Sequence, residues 1–286
     1  MKDIKVRGRA KINISLDVIG KREDGYHEVK MIMQQIDLYD EILIRKTEKG
    51  IVLETNCPFI PADEGNIAYK AAKLMMDRYP TNGGVYIYID KKIPVAAGLA
   101  GGSTNAAAVM IGLNKLWGIN EDKKTLMEAG VALGADVPFC ILGGAALAEG
   151  IGEKLTPIQG LKQWVVLCKP NISVSTAAVY GNLDAANIQE HPRTDLILGA
   201  LNQEDGQTVA DNLCNVLEPV TEKMHPIIKD IKRKMLECHA MGSLMSGSGP
   251  TVFGLFKDYN KARKAYENLS KIYHQVYVVK TYNGEE

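Results

Sequence analysis

The longest uncharged stretch of the chain runs from Ile93 to Asn114, and it constrains the fold more than any other segment. Its length would suit a membrane span, but it is dense in Gly, Ser, Thr and Asn, a composition that hydrocarbon does not accommodate. A strand-to-helix turn suits it better. Residues 85–93 alternate in polarity through Val85, Ile87 and Ile89, which predicts a strand. An Ala-rich helix is expected from about Ser103 to Trp117, closed by Gly118. Between them lies Pro94-Val95-Ala96-Ala97-Gly98-Leu99-Ala100-Gly101-Gly102-Ser103-Thr104, with Asn105 next. Glycines allow several backbone N–H groups to converge on one concavity. A helix N-terminus adds unpaired donors and a dipole that favours an anion. Residues 94–104 are therefore expected to hold phosphate groups, although a plain turn with Ser103 as helix cap has the same local pattern. The hydroxyls of Ser103 and Thr104 are placed to cap the helix, to reach a phosphate or to ligate Mg²⁺. The segment is not a Walker A loop and does not fit G-x-G-x-x-G.

The rest of the chain predicts a mixed α+β protein. Strands are expected over 4–19 and 28–46, joined by the charged turn Lys21-Arg22-Glu23-Asp24-Gly25. Asn66 is positioned to cap a helix over 66–79, and a further helix is expected from about Asp122 to Leu133. Strands are expected at Cys140–Ala148 and Trp164–Lys169. Helices follow at 175–183, 193–202, 208–216 and 222–238, then strands at 245–256 and 273–282 around a helix at 258–271. With 286 residues the chain has a natural size for two packed domains. The Gly-rich stretch near 150–160 is the expected boundary, which divides the chain into 1–155 and 156–286.

Lys and Arg number 34, as do Asp and Glu, so the net charge is zero. That balance argues against a nucleic-acid or anionic-membrane partner, both of which select a basic excess. The five cysteines have no C-x-x-C spacing and read as free thiols in a reducing cytosol. No Cys/His cluster suggests zinc, and the N-terminus has no signal-peptide core, so a cytoplasmic location is expected.

Three segments carry a family resemblance. Pro94 through Ala108 is similar to the second motif of the GHMP kinases, the group that includes galactokinase and the homoserine, mevalonate and phosphomevalonate kinases. Gly8-Arg9-Ala10-Lys11-Ile12-Asn13 resembles the first motif, and Leu244-Met245-Ser246-Gly247-Ser248-Gly249-Pro250-Thr251 the third. Further segments narrow the resemblance to one branch: Arg22-Glu23-Asp24-Gly25-Tyr26-His27, Ala132-Leu133-Gly134-Ala135-Asp136-Val137-Pro138 and Ala148-Glu149-Gly150-Ile151-Gly152-Glu153. That branch phosphorylates the 2-hydroxyl of a cytidine diphosphate conjugate of methylerythritol in the non-mevalonate isoprenoid pathway. The resemblance implies a two-domain GHMP kinase fold, with an N-terminal domain like domain 2 of ribosomal protein S5 and a C-terminal α+β domain. It implies MgATP as phosphoryl donor, bound by residues 94–104, with Ser103 as a candidate Mg²⁺ ligand.

The resemblance also implies that Lys11 and Asp136 form the catalytic pair. Taken alone, Lys11 reads as a solvated strand lysine and Asp136 as a helix cap before Val-Pro. Asn13 would reach the erythritol hydroxyls or a neighbouring phosphate. Tyr26 offers an aromatic face to cytosine and His27 a hydrogen-bonding edge, while Tyr180 matches the position that closes the far side of the base. Two other readings stand beside this one. The first is another GHMP kinase with a mevalonate, homoserine or sugar acceptor, which would have no base for Tyr26 and His27. The second is a non-catalytic RNA-binding protein, since S5-like folds occur in ribosomal proteins.

Overall fold

The structure, a computed structural model, describes residues 3–80 and 83–284. The elements in chain order begin with β1 (Ile4–Lys21), β2 (His27–Thr47), β3 (Ile51–Thr55), α1 (Ile67–Arg78), β4 (Gly84–Asp90), α2 (Gly101–Trp117), α3 (Lys123–Gly130) and α4 (Val137–Leu142). Next come β5 (Ala145–Glu149), β6 (Lys154–Pro157), β7 (Trp164–Lys169), α5 (Thr176–Gly181), α6 (Thr194–Asn202), α7 (Gly206–Asp211) and β8 (Cys214–Asn215). The chain ends with α8 (Glu218–Met224), α9 (Ile227–Glu237), β9 (Gly242–Met245), β10 (Val252–Phe256), α10 (Tyr259–Leu269) and β11 (Gln275–Lys280). The α+β class expected from the sequence is the class observed.

The chain forms two compact units: Met1–Ala10, Leu38–Val95 and Ala100–Gly143 make the first, and Lys11–Asp37, Ala96–Leu99 and Gly144–Glu286 the second. In the first unit, the C-terminal part of β2 runs antiparallel to β4 from Glu41↔Asp90 to Thr47↔Gly84, and β3 runs parallel to β4. Alternation places Ile42, Ile44, Val85, Ile87 and Ile89 in the core. Helix α2 contributes Ala106, Ala107, Val109, Met110 and Leu113 to that core, and α1 contributes Ala68, Ala71, Ala72 and Met75. The alanines bring backbones close. At Gly112 a Cβ would stand 2.3 Å from Ile44 Cδ1, so α2 rests directly on the strand.

In the second unit, β5 pairs antiparallel with the N-terminal part of β2 and with β6, and the short β8 runs parallel to β1 at Ser15↔Cys214. A separate antiparallel sheet has the order β11-β7-β10-β9. Its central strands β7 and β10 are buried almost throughout, which explains their continuous apolar runs. The amphipathic helices α9 and α10 pack against this sheet through Ile228, Ile231, Met235, Ala262, Ala265 and Leu269.

Some expected elements differ. Residues 140–142, expected to start a strand, instead close α4 (Val137–Leu142), and only 145–149 are extended. The apolar run Val137-Pro-Phe-Cys-Ile-Leu has no periodicity to separate the two states, and Pro138 sits where a helix accepts it, in the first turn. The helix expected over 222–238 is two helices broken before Pro226. The strand expected over 245–256 is β9 and β10, divided by the glycine-rich segment. Strands β3 and β6 are short and were not expected.

Candidate active site

The site residues in the second unit start from β1. Its apolar face (Ile12, Ile14, Leu16) is buried, and so is the alternate face, which is polar: Lys11, Asn13, Ser15 and Asp17. Lys11 Nζ donates to Asn13 Oδ1 at 2.7 Å, and Asn13 Nδ2 lies 3.2 Å from Met31 Sδ. The Lys11 backbone N–H donates to the Leu99 carbonyl at 3.2 Å, joining the first motif to the middle of the second. The third motif approaches the same place. Ser246 Oγ donates to the Gly98 carbonyl at 2.9 Å, and Thr251 N–H to the Ala97 carbonyl at 3.4 Å. At Gly98 a Cβ would stand 2.3 Å from the Ser246 carbonyl oxygen. At Gly247 a Cβ would stand 3.6 Å from both Asn13 Oδ1 and Lys11 Nζ. Glycine at these two positions therefore lets backbone segments come close, at Gly98 to the third motif and at Gly247 to the strand ammonium and amide.

The hairpin turn before β2 is set by its charges. Arg22 pairs with Asp24 at 2.9 Å, Asp24 Oδ1 accepts the Tyr26 N–H at 3.1 Å, and Arg22 N–H donates to the Tyr26 carbonyl at 2.8 Å. Tyr26 projects from this turn and is 61 % exposed. His27 lies half-buried with its ring centroid 4.9 Å from that of Tyr180. Burial, reinforced by the charge of Lys21, pushes the His27 pKa below the usual imidazole value. Tyr180 sits in α5, which Ser175 caps through Ala178 N–H at 3.3 Å. Beside that cap, Thr176 Oγ1 and Ser248 Oγ are 2.8 Å apart, tying α5 to the third glycine-rich segment.

In the first unit, α2 begins at Gly101. Its N-cap residue Ala100 is left-handed (φ 56°), and no side chain caps the helix. Neither Ser103 nor Thr104 takes the capping role that the sequence allowed. Thr104 Oγ1 instead donates to the Arg9 carbonyl at 2.7 Å, and a Cβ at Gly8 would meet the Thr104 carbonyl oxygen at 2.9 Å. Ala96 (φ 50°) and Gly98 (φ 72°) are also left-handed, so alternate residues from 96 to 100 are left-handed ahead of the helix. Such alternation aims successive N–H groups to one side, an arrangement suited to anions. Asp136 occupies the N-cap position of α4 but makes no side-chain cap bond, so its carboxylate is not engaged as an ordinary cap.

The comparisons with known proteins agree with the motifs. The model of the GHMP kinase N-terminal domain matches residues 66–144, and that of the C-terminal domain matches residues 197–275. A protein of Alkaliphilus oremlandii is 59 % identical over 99 % of this chain and 98 % of its own, and one of Alkaliphilus metalliredigens is 58 % identical with the same coverage. Both carry the name 4-diphosphocytidyl-2-C-methyl-D-erythritol kinase. The chain belongs to that kinase family, within the GHMP kinases. A solved 4-(cytidine 5'-diphospho)-2C-methyl-D-erythritol kinase superposes on this GHMP kinase with a TM-score of 0.86 at 32 % identity, covering 98 % of this chain and 100 % of the other. Homoserine kinase from Cytophaga hutchinsonii, at 22 % identity and a TM-score of 0.79, shares the fold.

Membership makes the chain an ATP-using small-molecule kinase. The uncapped N-terminus of α2, with its run of small residues, fits a polyphosphate. Among the described residues no group of three or more His, Cys, Asp or Glu forms a cage for a metal ion. Also among the described residues, no helix is long and apolar enough to cross a membrane. Sequence reasoning passed over Asp40 and Lys91 of this GHMP kinase and gave no role to Asn105, which follows the loop. Asp40 is a single acid on the otherwise apolar alternating face of Leu38, Ile42 and Ile44, and that break in the alternation is the signal that could have found it.

Proposed function

We propose that the protein transfers the γ-phosphoryl group of ATP to the 2-hydroxyl of 4-diphosphocytidyl-2-C-methyl-D-erythritol, giving the 2-phosphate and ADP, as a cytoplasmic step of non-mevalonate isoprenoid synthesis. The observation that carries the acceptor assignment is the His27–Tyr180 ring pair. It lies in the same unit as Lys11 and Asn13, beside the exposed Tyr26, in a chain whose relatives at 58 and 59 % identity bear that kinase name. An aromatic face and a neutral imidazole edge are what a cytosine ring selects, and homoserine, mevalonate or sugars have no such ring. The homoserine kinase neighbour supports the fold alone, and no basic excess supports an RNA-binding reading.

In this reading residues 94–104 bind the ATP phosphates through backbone N–H groups, and Ser103 supplies a hydroxyl to Mg²⁺. When bound there, Mg²⁺ would supply charge neutralisation on the phosphates. Asn13 holds the acceptor near its hydroxyls, and Tyr26 with Tyr180 encloses the base. Lys11 and Asp136 act on the acceptor hydroxyl: the ammonium stabilises developing negative charge, and the carboxylate orients the O–H and takes its proton late. As the acceptor oxygen bonds to the γ-phosphorus, the bond to the β-bridging oxygen breaks and ADP leaves. The segments 1–155 and 156–286 remain our proposal for the two sequence domains.

The test is ADP release from MgATP with three acceptors in parallel: 4-diphosphocytidyl-2-C-methyl-D-erythritol, mevalonate and homoserine. Turnover with the first alone is expected. Turnover with either of the others in its place would overturn the acceptor assignment, and silence with all three from folded protein would overturn the catalytic reading.

A further inference from the structure

Asp40 has no exposed surface at all, and it occupies the core face of β2 together with Leu38, Ile42 and Ile44. Alternation alone would place another aliphatic residue there. A buried carboxylate persists only when it is paired and fully hydrogen-bonded, and this one is. Its Oδ1 accepts the backbone N–H groups of Lys92 at 2.7 Å and Ile93 at 2.8 Å. Its Oδ2 accepts Lys91 Nζ at 2.6 Å and Asn105 Nδ2 at 2.7 Å. Lys91 is itself 6 % exposed and lies 3.4 Å from Asn105 Oδ1.

The sequence positions of these donors matter. Ile93 immediately precedes the segment 94–104, and Asn105 immediately follows it. One carboxylate thus grips the chain on both sides of the glycine-rich loop. Helix α2 also rests on the gripped residues, since a Cβ at Gly101 would stand 3.1 Å from Lys91 Nζ and 3.1 Å from Ile93 Cγ2. The loop has left-handed turns at Ala96, Gly98 and Ala100, and no side chain caps the helix that follows. Its shape therefore depends on where its ends are held, as well as on the bonds to the Ala97, Gly98 and Leu99 carbonyls.

We propose that Asp40 is a positioning residue for nucleotide binding: by fixing residues 91–93 at the entry and Asn105 at the exit, it pre-organises the loop that receives the ATP phosphates. The inference rests on the reading of 94–104 as the phosphate loop. Lys91 completes the device, because its ammonium neutralises a carboxylate that would otherwise repel the polyphosphate. Pre-organisation of this kind acts on affinity for the group received at the loop and leaves other subsites alone.

The experiment compares Asp40→Asn, Asn105→Ala and Gly102→Asp with the unmodified enzyme, measuring MgADP binding by calorimetry and the KM for ATP and for the cytidyl acceptor. Asparagine keeps the volume at position 40 but turns an NH₂ group toward existing donors. Asp40→Asn is expected to weaken MgADP binding and raise the KM for ATP roughly 10–100-fold, with the acceptor KM unchanged. Asn105→Ala removes one of the four bonds and is expected to move the same constants less. It decides the matter in place of Asp40→Asn if that variant does not fold. Equal changes in both KM values, or normal MgADP affinity, would reduce Asp40 to a core ion pair and overturn the inference. Gly102→Asp tests the underlying reading separately: a Cβ there meets only Ile67 Cγ2 at 3.4 Å, so an added carboxylate is tolerated sterically but opposes phosphate. Normal MgADP binding by Gly102→Asp would remove the phosphate-loop reading and this inference with it. Lost binding there, with Asp40→Asn unaffected, would remove this inference alone.

Discussion

Lys11 and Asn13 hold each other at 2.7 Å on the buried polar face of β1. An ammonium fixed in this way can stabilise charge on an incoming oxygen without reorganising at the moment of reaction. In the proposed pair with Asp136, replacing the carboxylate by an amide keeps the shape and removes the proton acceptor. Asp136→Asn is expected to lose roughly 10²–10⁴-fold in kcat with the acceptor KM little changed. Near-normal turnover in steady-state assays would remove Asp136 from the chemistry. His27 gives a second measurement at this scale. Its pKa is depressed in the folded protein, so folding favours the neutral ring. The associated stability is present above the unfolded value of about 6.5 and is lost as pH falls through the lower folded value. An NMR titration of the His27 ring is expected to give a midpoint below the unfolded value, and a midpoint at or above it would contradict the burial argument.

At the scale of elements, the second and third glycine-rich segments meet at Gly98. That residue is left-handed at φ 72°, and a Cβ would come within 2.3 Å of the Ser246 carbonyl oxygen. Both the dihedral and the contact penalise a side chain there. Gly98→Ala is expected to lower stability by about 1–3 kcal/mol in denaturant unfolding, together with a raised KM for ATP. Unchanged stability would mean that the loop and the Ser246 segment separate easily. The sequence made this meeting partly legible, because small residues in two distant motifs imply backbone approach, but it could not say which carbonyl faces which glycine. Long alternating strands such as β1 and β2, and the capped helix α1, were legible from periodicity and from Asn66. Helix α4 was not, because six apolar residues in a row carry no period. The grip of Asp40 was hidden for a related reason: its four donors lie far along the chain, and only tertiary structure brings them to one carboxylate.

At the scale of the molecule, the second unit is assembled from chain segments that a cut at 155/156 would separate. Residues 11–37 belong to it, and β1 pairs with β8 at Ser15↔Cys214. Gln34 and Gln35 bind the far end of the chain. Gln34 Nε2 donates to the Tyr282 carbonyl at 2.8 Å, its Oε1 accepts Leu161 N–H at 2.8 Å, and Tyr282 N–H donates to the Gln35 carbonyl at 2.8 Å. Expressed alone, the segment 156–286 is therefore expected to lack a cooperative thermal transition. Co-expression with 1–155 is expected to restore one. A sharp transition in 156–286 alone, measured by circular dichroism, would show that β7, β9, β10 and β11 suffice.

The same glutamine clasp orders events during synthesis. β1 and β2 leave the ribosome well before Tyr282, the partner of Gln34 and Gln35, is made. The nascent chain must therefore carry Lys11 and Asn13 on a strand whose neighbours are incomplete. Until Tyr282 emerges, the fold around the polar face of β1 is unfinished, and surface that the folded unit buries stays exposed in that interval.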